Sequence, residues 1–255
     1  METLEVKSMG PVTIVTMNRP EVRNAFNPTL INELIEVFEA PPSHIVVLRG
    51  AGPVFSAGGD LAWMRESAKL DEAGNVDEAK RMARVFQTID EANAVVIAGV
   101  QGAALGGGMG LVSVCDVVVA EKEARFGFTE ARLGLAPAVI SPFCIRKVGL
   151  SAARRYFTTG QRFPAEEAMR IGLVHQVVEA DSLEAATQKM VERVIAGGPQ
   201  AVLACKRLAR EVDGLSREDA IDHTARVIAS LRTGEEGQEG ITAFLEKRKP
   251  KWIPG

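Results

Sequence analysis

Three short segments carry residue types and spacings that chemistry can use. The first is Phe55-Ser56-Ala57-Gly58-Gly59-Asp60-Leu61. Its small residues let a ligand approach the backbone. A strand that hands over to a helix here leaves free N–H groups able to hold an anionic oxygen. Asp60 suits the N-cap or first turn of that helix. Taken alone, a glycine turn followed by a capped helix accounts for the segment. The second is Ala103-Ala104-Leu105-Gly106-Gly107-Gly108-Met109-Gly110-Leu111, again a strand, a glycine run and a helix start. Its glycines stand at 106, 107, 108 and 110, with leucine at 111, so it is no GxGxxG fingerprint. No GK[ST] follows, so it is no P-loop either. Tight packing of a helix on a strand explains it as readily as an anion site. The third, Phe126-Gly127-Phe128-Thr129-Glu130-Ala131-Arg132-Leu133-Gly134-Leu135, sets one carboxylate among apolar and small residues. A carboxyl partly removed from water has a raised pKa and trades protons near neutral pH. Alternatively, Glu130 starts a helix behind a Thr129 cap or pairs with Arg132.

These segments need elements to hold them. Val12–Met17 alternates, is β-branched and reads as a strand. Asn27-Pro28 supplies an N-cap and a proline at the first helical position, for a helix to about Glu39 that stops at Pro41-Pro42. Residues 45–48, 95–100 and 116–120 read as short buried strands. Gly58-Gly59-Asp60 opens a helix toward Met64, and another spans about 107–114. Residues 68–78, with Gly74, Asn75 and many charges, read as a mobile loop. Ala79, Met82, Ala83, Phe86 and Ile89 then recur at helical spacing. Short helices follow at about 141–147, 151–159 and 164–171, then a strand at 173–178. Helices at about 182–196, 199–213, 216–232 and from Glu235 finish the chain. Strands alternate with helices and then give way to helices alone, an α/β pattern with a helical C-terminal region. No internal repeat is visible in the sequence.

The 255 residues permit one large domain or a domain with an extension. A net charge of -3 gives no bulk attraction for nucleic acid or anionic membrane. Cys115, Cys144 and Cys205 show no CxxC pairing, and His44, His175 and His223 lie far apart, so neither a disulfide framework nor a metal site is expected. The N-terminus METLEVKSMGP lacks the apolar stretch of a signal peptide, and the longest apolar runs are too short to span a bilayer. A cytoplasmic protein is expected.

Together, in this order and spacing, the three segments resemble the crotonase (enoyl-CoA hydratase/isomerase) superfamily. Residues 12–25 resemble its opening strand and adenine-side loop, and residues 240–248 (GITAFLEKR) its C-terminal helix. The resemblance implies an α/β fold, a crotonase-like spiral of repeated ββα units over residues 1–195, with a helical assembly region over 196–255. It implies an acyl-CoA substrate and a homotrimer or hexamer. Coenzyme A would arrive as part of the substrate, with no separate cofactor, no metal, no nucleic acid and no membrane. By position, the thioester oxygen would sit between the N–H groups of Ala57 and Gly107, and Glu130 would move the proton. Arg23, Ala25, Gly58, Gly59, Asp60, Leu61, Gly106 and Gly110 would line the substrate, and Arg23 and Lys247 would meet phosphates of coenzyme A.

The sequence departs from the family's hydratases at Gly110, where the first of their two glutamates is missing. Gly110 would leave room there for a branched or carboxylated acyl group. The run LAPAVISPF after Gly134 resembles a methylglutaconyl-CoA and isohexenylglutaconyl-CoA hydratase-like branch. The leading expectation is hydration or dehydration of a branched or glutaconyl-type enoyl-CoA. Alternatives are a Δ3,Δ2-enoyl-CoA isomerase using Glu130 alone, and a non-catalytic acyl-CoA binder.

Overall fold

The computed structural model describes residues 1–253. In chain order it forms β1 (Leu4–Met9), β2 (Val12–Met17), α1 (Pro28–Glu39), β3 (Ile45–Gly50), α2 (Leu61–Ser67), α3 (Glu72–Glu91), β4 (Val95–Val100) and β5 (Ala103–Leu105). Then come α4 (Gly107–Val114), β6 (Val117–Glu121), β7 (Arg125–Gly127), α5 (Ser141–Thr159), β8 (Phe163–Pro164), α6 (Ala165–Arg170) and β9 (Gln176–Val178). Helices α7 (Leu183–Ile195), α8 (Pro199–Glu211), α9 (Arg217–Thr233) and α10 (Glu235–Leu245) complete it.

Strands β1-β2-β3-β4-β6-β9 form a six-stranded sheet, parallel except for the β1–β2 hairpin. Strands β5-β7-β8 form a second, small sheet. The chain runs as a spiral. Each turn leaves a strand of the large sheet, touches the small sheet, and enters a helix or turn. β3 leads to Ser56, which bridges Ala104, and then to α2. β4 leads to β5 and α4, and β6 leads to β7 and the 3₁₀ turn Glu130–Leu133. Ala104 in turn faces Phe126 across the β5–β7 ladder. The three segments with chemical potential are therefore equivalent points on successive turns, side by side in the small sheet.

Local rules explain most elements. Asn27 caps α1 by accepting from Leu30 N–H, and Pro28 stands at its first position. α1 buries Leu30, Ile31, Leu34, Val37 and Phe38. The loop expected over 68–78 is a correction: α3 begins at Glu72, with Asp71 capping it through Gly74 N–H. Its first turns bury nothing and show no apolar stripe. They are held by the cap and by Glu78, which accepts from Trp63 Nε1 at 3.2 Å and from Ser67 Oγ of α2.

The helical end is tied to the body through α8. Val202 and Leu203 pack on a second apolar cluster with Val12, Ile45, Val47, Val95, Ile97 and Val191. Glu236 of α10 accepts from the N–H groups of Gln200 and Ala201 at the start of α8. α9 buries no residue and α10 buries only Ala243. Among the described residues no helix is long and apolar enough to cross a membrane.

Candidate active site

The spiral brings the two glycine turns into contact. A Cβ on Gly58 would lie 2.8 Å from the Leu105 carbonyl oxygen and 3.3 Å from Gly107 N, and Gly58 has φ 92°. Only glycine fits there. A Cβ on Gly106 would stand 3.4 Å from Glu130 Oε1 and 3.8 Å from Gly58 Cα. All three segments thus converge within van der Waals reach.

The backbone donors differ from the expectation at one position. Ala57 N–H donates to the Arg23 carbonyl at 2.9 Å, so it is engaged inside the fold and does not face a ligand. The open donor of this turn is Gly59. Phe26 N–H donates to the Gly58 carbonyl at 2.7 Å and Asp60 N–H donates to the Phe26 carbonyl at 2.9 Å. Because extended backbone alternates its polar groups, Gly59 points its N–H away from Phe26. That N–H has no partner among the described residues. Gly107 is the first residue of α4. The carbonyl one turn back, that of Ala103, accepts instead from Ser56 N–H at 3.1 Å. Gly107 N–H is therefore one of the orphan donors of a helix N-terminus, where the dipole favours negative charge.

Glu130 opens the 3₁₀ turn after Thr129. It is half-buried, and its Oε2 is enclosed with no hydrogen-bond partner. Burial raises its pKa, opposed only by a backbone hydrogen bond of its own residue. The alternative pairing with Arg132 does not form among the described residues. Behind it, the Cys144 thiol, 3.2 Å from Ser113 Oγ, is pushed up to about 12 by burial.

The other expected residues divide. Asp60 is fully employed: it caps α2 through Ala62 N–H and pairs with Arg19 at 2.9 Å. Ala25 is buried and its carbonyl accepts from Arg19 Nη1. Arg23 is exposed with φ 56°, Leu61 is exposed at the start of α2, and Lys247 is exposed with φ 55°. Gly110 is a second correction. A Cβ there would meet Ile140 Cγ2 and Phe86 Cε1, both at 2.6 Å. The space expected beside it is filled by these two side chains, so it offers a substrate no room.

The apolar walls were not singled out as site residues from the sequence. Met64 Sδ lies 3.2 Å from the Cβ position of Gly59, and Met82 Cε lies 2.8 Å from that of Gly107, with Phe26 at 3.1 Å. The helical spacing of Met82 and Phe86 was the available signal, but it marked a buried face without saying what it faced. Among the described residues no group of His, Cys, Asp and Glu converges to hold a metal.

Comparison with known proteins agrees with this arrangement. A family profile described as enoyl-CoA hydratase/isomerase matches residues 8–254. The 2,3-dehydroadipyl-CoA hydratase of Escherichia coli is 34% identical, over 98% of this chain and 98% of its own length. The short-chain-enoyl-CoA hydratase of Clostridium acetobutylicum is 32% identical, over 94% of this chain and 93% of its own. A crystal structure of an enoyl-CoA hydratase from Shewanella pealeana superimposes with a TM-score of 0.92 at 38% identity, covering 98% of this chain and 96% of that one. An open backbone donor in each of two adjoining glycine turns, one unpartnered carboxylate beside them and a match along nearly the whole length lead to one conclusion: the chain belongs to the enoyl-CoA hydratase/isomerase family.

Proposed function

We propose that the chain is a hydro-lyase that adds water to, or removes it from, the 2,3 double bond of an enoyl-CoA thioester. One observation carries this reading: the half-buried Glu130, with an unpartnered oxygen, lies against Gly106, where the two glycine turns that carry the open N–H groups of Gly59 and Gly107 meet.

The thioester oxygen accepts from both N–H groups, which draws electron density from C3. Glu130 takes a proton from a water molecule as that water's oxygen bonds to C3. The π electrons move onto the thioester oxygen, where the two fixed donors and the α4 dipole stabilise them. Removing one such donor typically costs about 3 kcal/mol of barrier. The enolate then collapses, and Glu130 returns the same proton to C2. One carboxyl suffices, because it receives and gives back a single proton. Its raised pKa makes the ionised carboxylate a stronger base for the first step.

A branched or glutaconyl-type acyl chain is the proposed substrate. The LAPAVISPF run supports it, as does likeness to a relative named for dehydroadipyl-CoA, a thioester of a dicarboxylic acid. Coenzyme A enters with that substrate and no further cofactor takes part. Arg23 and Lys247, both exposed cations, are proposed to meet its phosphates. A homotrimer or hexamer is the proposed assembly.

The filling of the space at Gly110 by Phe86 and Ile140 favours a second reading. Without a second carboxylate to seat the water, Glu130 alone moves a proton between C2 and C4, as an isomerase does. The test is the wild-type protein with paired 2-enoyl-CoA and 3-enoyl-CoA thioesters, methylglutaconyl-CoA and crotonyl-CoA among them, products identified by mass. Gain of one water by the 2-enoyl substrate is expected. A 3-enoyl substrate converted at unchanged mass, with no hydration of any 2-enoyl thioester, makes the protein an isomerase. Turnover of neither class overturns both readings.

A further inference from the structure

Gly59 has no side chain to fix its peptide, yet the proposed chemistry needs its N–H held at one angle. What holds it is found outside the site. Residues 19–26 leave β2 through a 3₁₀ turn and two consecutive left-handed residues, Arg23 at φ 56° and Asn24 at φ 53°. This loop grips the turn 56–60 at both ends.

Asn24 holds the first end. It is fully buried, accepts from Arg19 N–H at 2.9 Å and donates to the carbonyls of Ala51 at 2.9 Å and Val54 at 2.8 Å. Its own carbonyl accepts from Ser56 Oγ, which in turn accepts from Gly58 N–H at 3.3 Å. Arg19 holds the second end. Its Nη2 meets Asp60 Oδ2 at 2.9 Å and its Nη1 donates to the Ala25 carbonyl at 2.5 Å. The two side chains are only 15% and 13% exposed, so the pair is poorly screened. Burial pushes the Asp60 carboxyl up, but the hydrogen bonds from Arg19 and Ala62 N–H outweigh it and hold it below its ordinary value.

We propose that Arg19 is a positioning residue: its guanidinium clamps Ala25 and Asp60 together and so fixes the orientation of the Gly59 N–H. This rests on the reading that Gly59 and Gly107 hold the thioester oxygen. Asp60 N–H and Gly58 C=O, on either side of Gly59, both bond Phe26, the residue after Ala25. Arg19 therefore grips both strands of this bridge, one residue from Gly59. The planar guanidinium reaches two acceptors at once, which an ammonium on a flexible stem does not do in one fixed geometry.

The test uses the infrared carbonyl stretch of a bound, unreactive saturated acyl-CoA carrying a 13C-labelled thioester carbonyl. Binding to wild type is expected to lower that frequency. Arg19→Met is expected to lose most of the lowering, with kcat falling about a hundredfold and KM changing little. Asp60→Asn should behave alike, and the double variant should be no worse than either single one, because both remove one clamp. Arg19→Lys, the milder change, should keep the fold by circular dichroism and recover part of the shift. An Arg19→Lys or Arg19→Met protein that keeps the full frequency shift and kcat overturns the proposal, as does one that loses only thermal stability. A wild type that binds the thioester with no lowering at all overturns the carbonyl site itself, and the clamp with it.

Discussion

Glu130 is held in a site that suits its protonated form, and this has two measurable results. Glu130→Gln should lower turnover at least about a thousandfold with little change in affinity for a substrate-like thioester, read by steady-state kinetics and by titration calorimetry. As a base the ionised form is needed, so the acid limb of kcat/KM in wild type should lie above the usual carboxylate range. The stability effect has the opposite sign. The folded state holds this proton more tightly than the unfolded chain, so stability falls as pH rises through the window between the two values. Glu130→Gln should therefore melt higher than wild type near neutral pH, and the gain should vanish below the usual carboxylate range. Equal melting curves at every pH would remove the burial argument. At this scale the sequence made Glu130 legible, since a lone carboxylate among apolar residues is a local fact. It did not make Gly59 legible in place of Ala57. Which N–H faces the site depends on pairing with Arg23 and Phe26, and those partners lie more than thirty positions away.

The elements with strong local signals were readable: α1 from Asn27-Pro28, and β3, β4 and β6 from apolar runs. The small sheet was not, because β5, β7 and β8 have only 3, 3 and 2 residues. No period can be read in so short a run, and their pairing is entirely long-range. β1 gives a weak local signal, because only Leu4 of its residues is buried. Two substitutions test how the elements meet. Gly58→Ala places a methyl against the Leu105 carbonyl at φ 92° and should cut kcat by about a hundredfold or more while the protein still folds by circular dichroism. Gly110→Glu does not restore a two-glutamate site. Its side chain meets Phe86 and Ile140 at 2.6 Å, so overpacking should cost about 2 kcal/mol or more, seen as a lower denaturation midpoint, with no gain in hydration rate.

At the scale of the molecule, α9 and α10 expose several large apolar side chains in the single chain. Phe244 is 83% exposed and Leu245 73%, with Ile221 and Ile228 of α9 also open. Exposed apolar side chains of this size suit the homotrimer or hexamer proposed above. The expected outcome by light scattering is a mass of three chains or a multiple of it, and Phe244→Asp with Ile228→Asp should reduce it to one. A wild type that is monomeric at all concentrations refutes the assembly. The spiral itself also has a consequence for ancestry. The two donors proposed for the carbonyl are main-chain groups, supplied by successive turns of one winding. Among the coded amino acids only proline lacks a backbone N–H, so mutational drift erodes these donors only through proline or a distorted turn. Met64, Met82, Phe86 and Ile140 enjoy no such protection, and each is open to exchange by single base changes. A lineage built this way can pass through many acyl chains while keeping its grip on the thioester. Its descendants should therefore diverge first in what they accept and last in where they hold it.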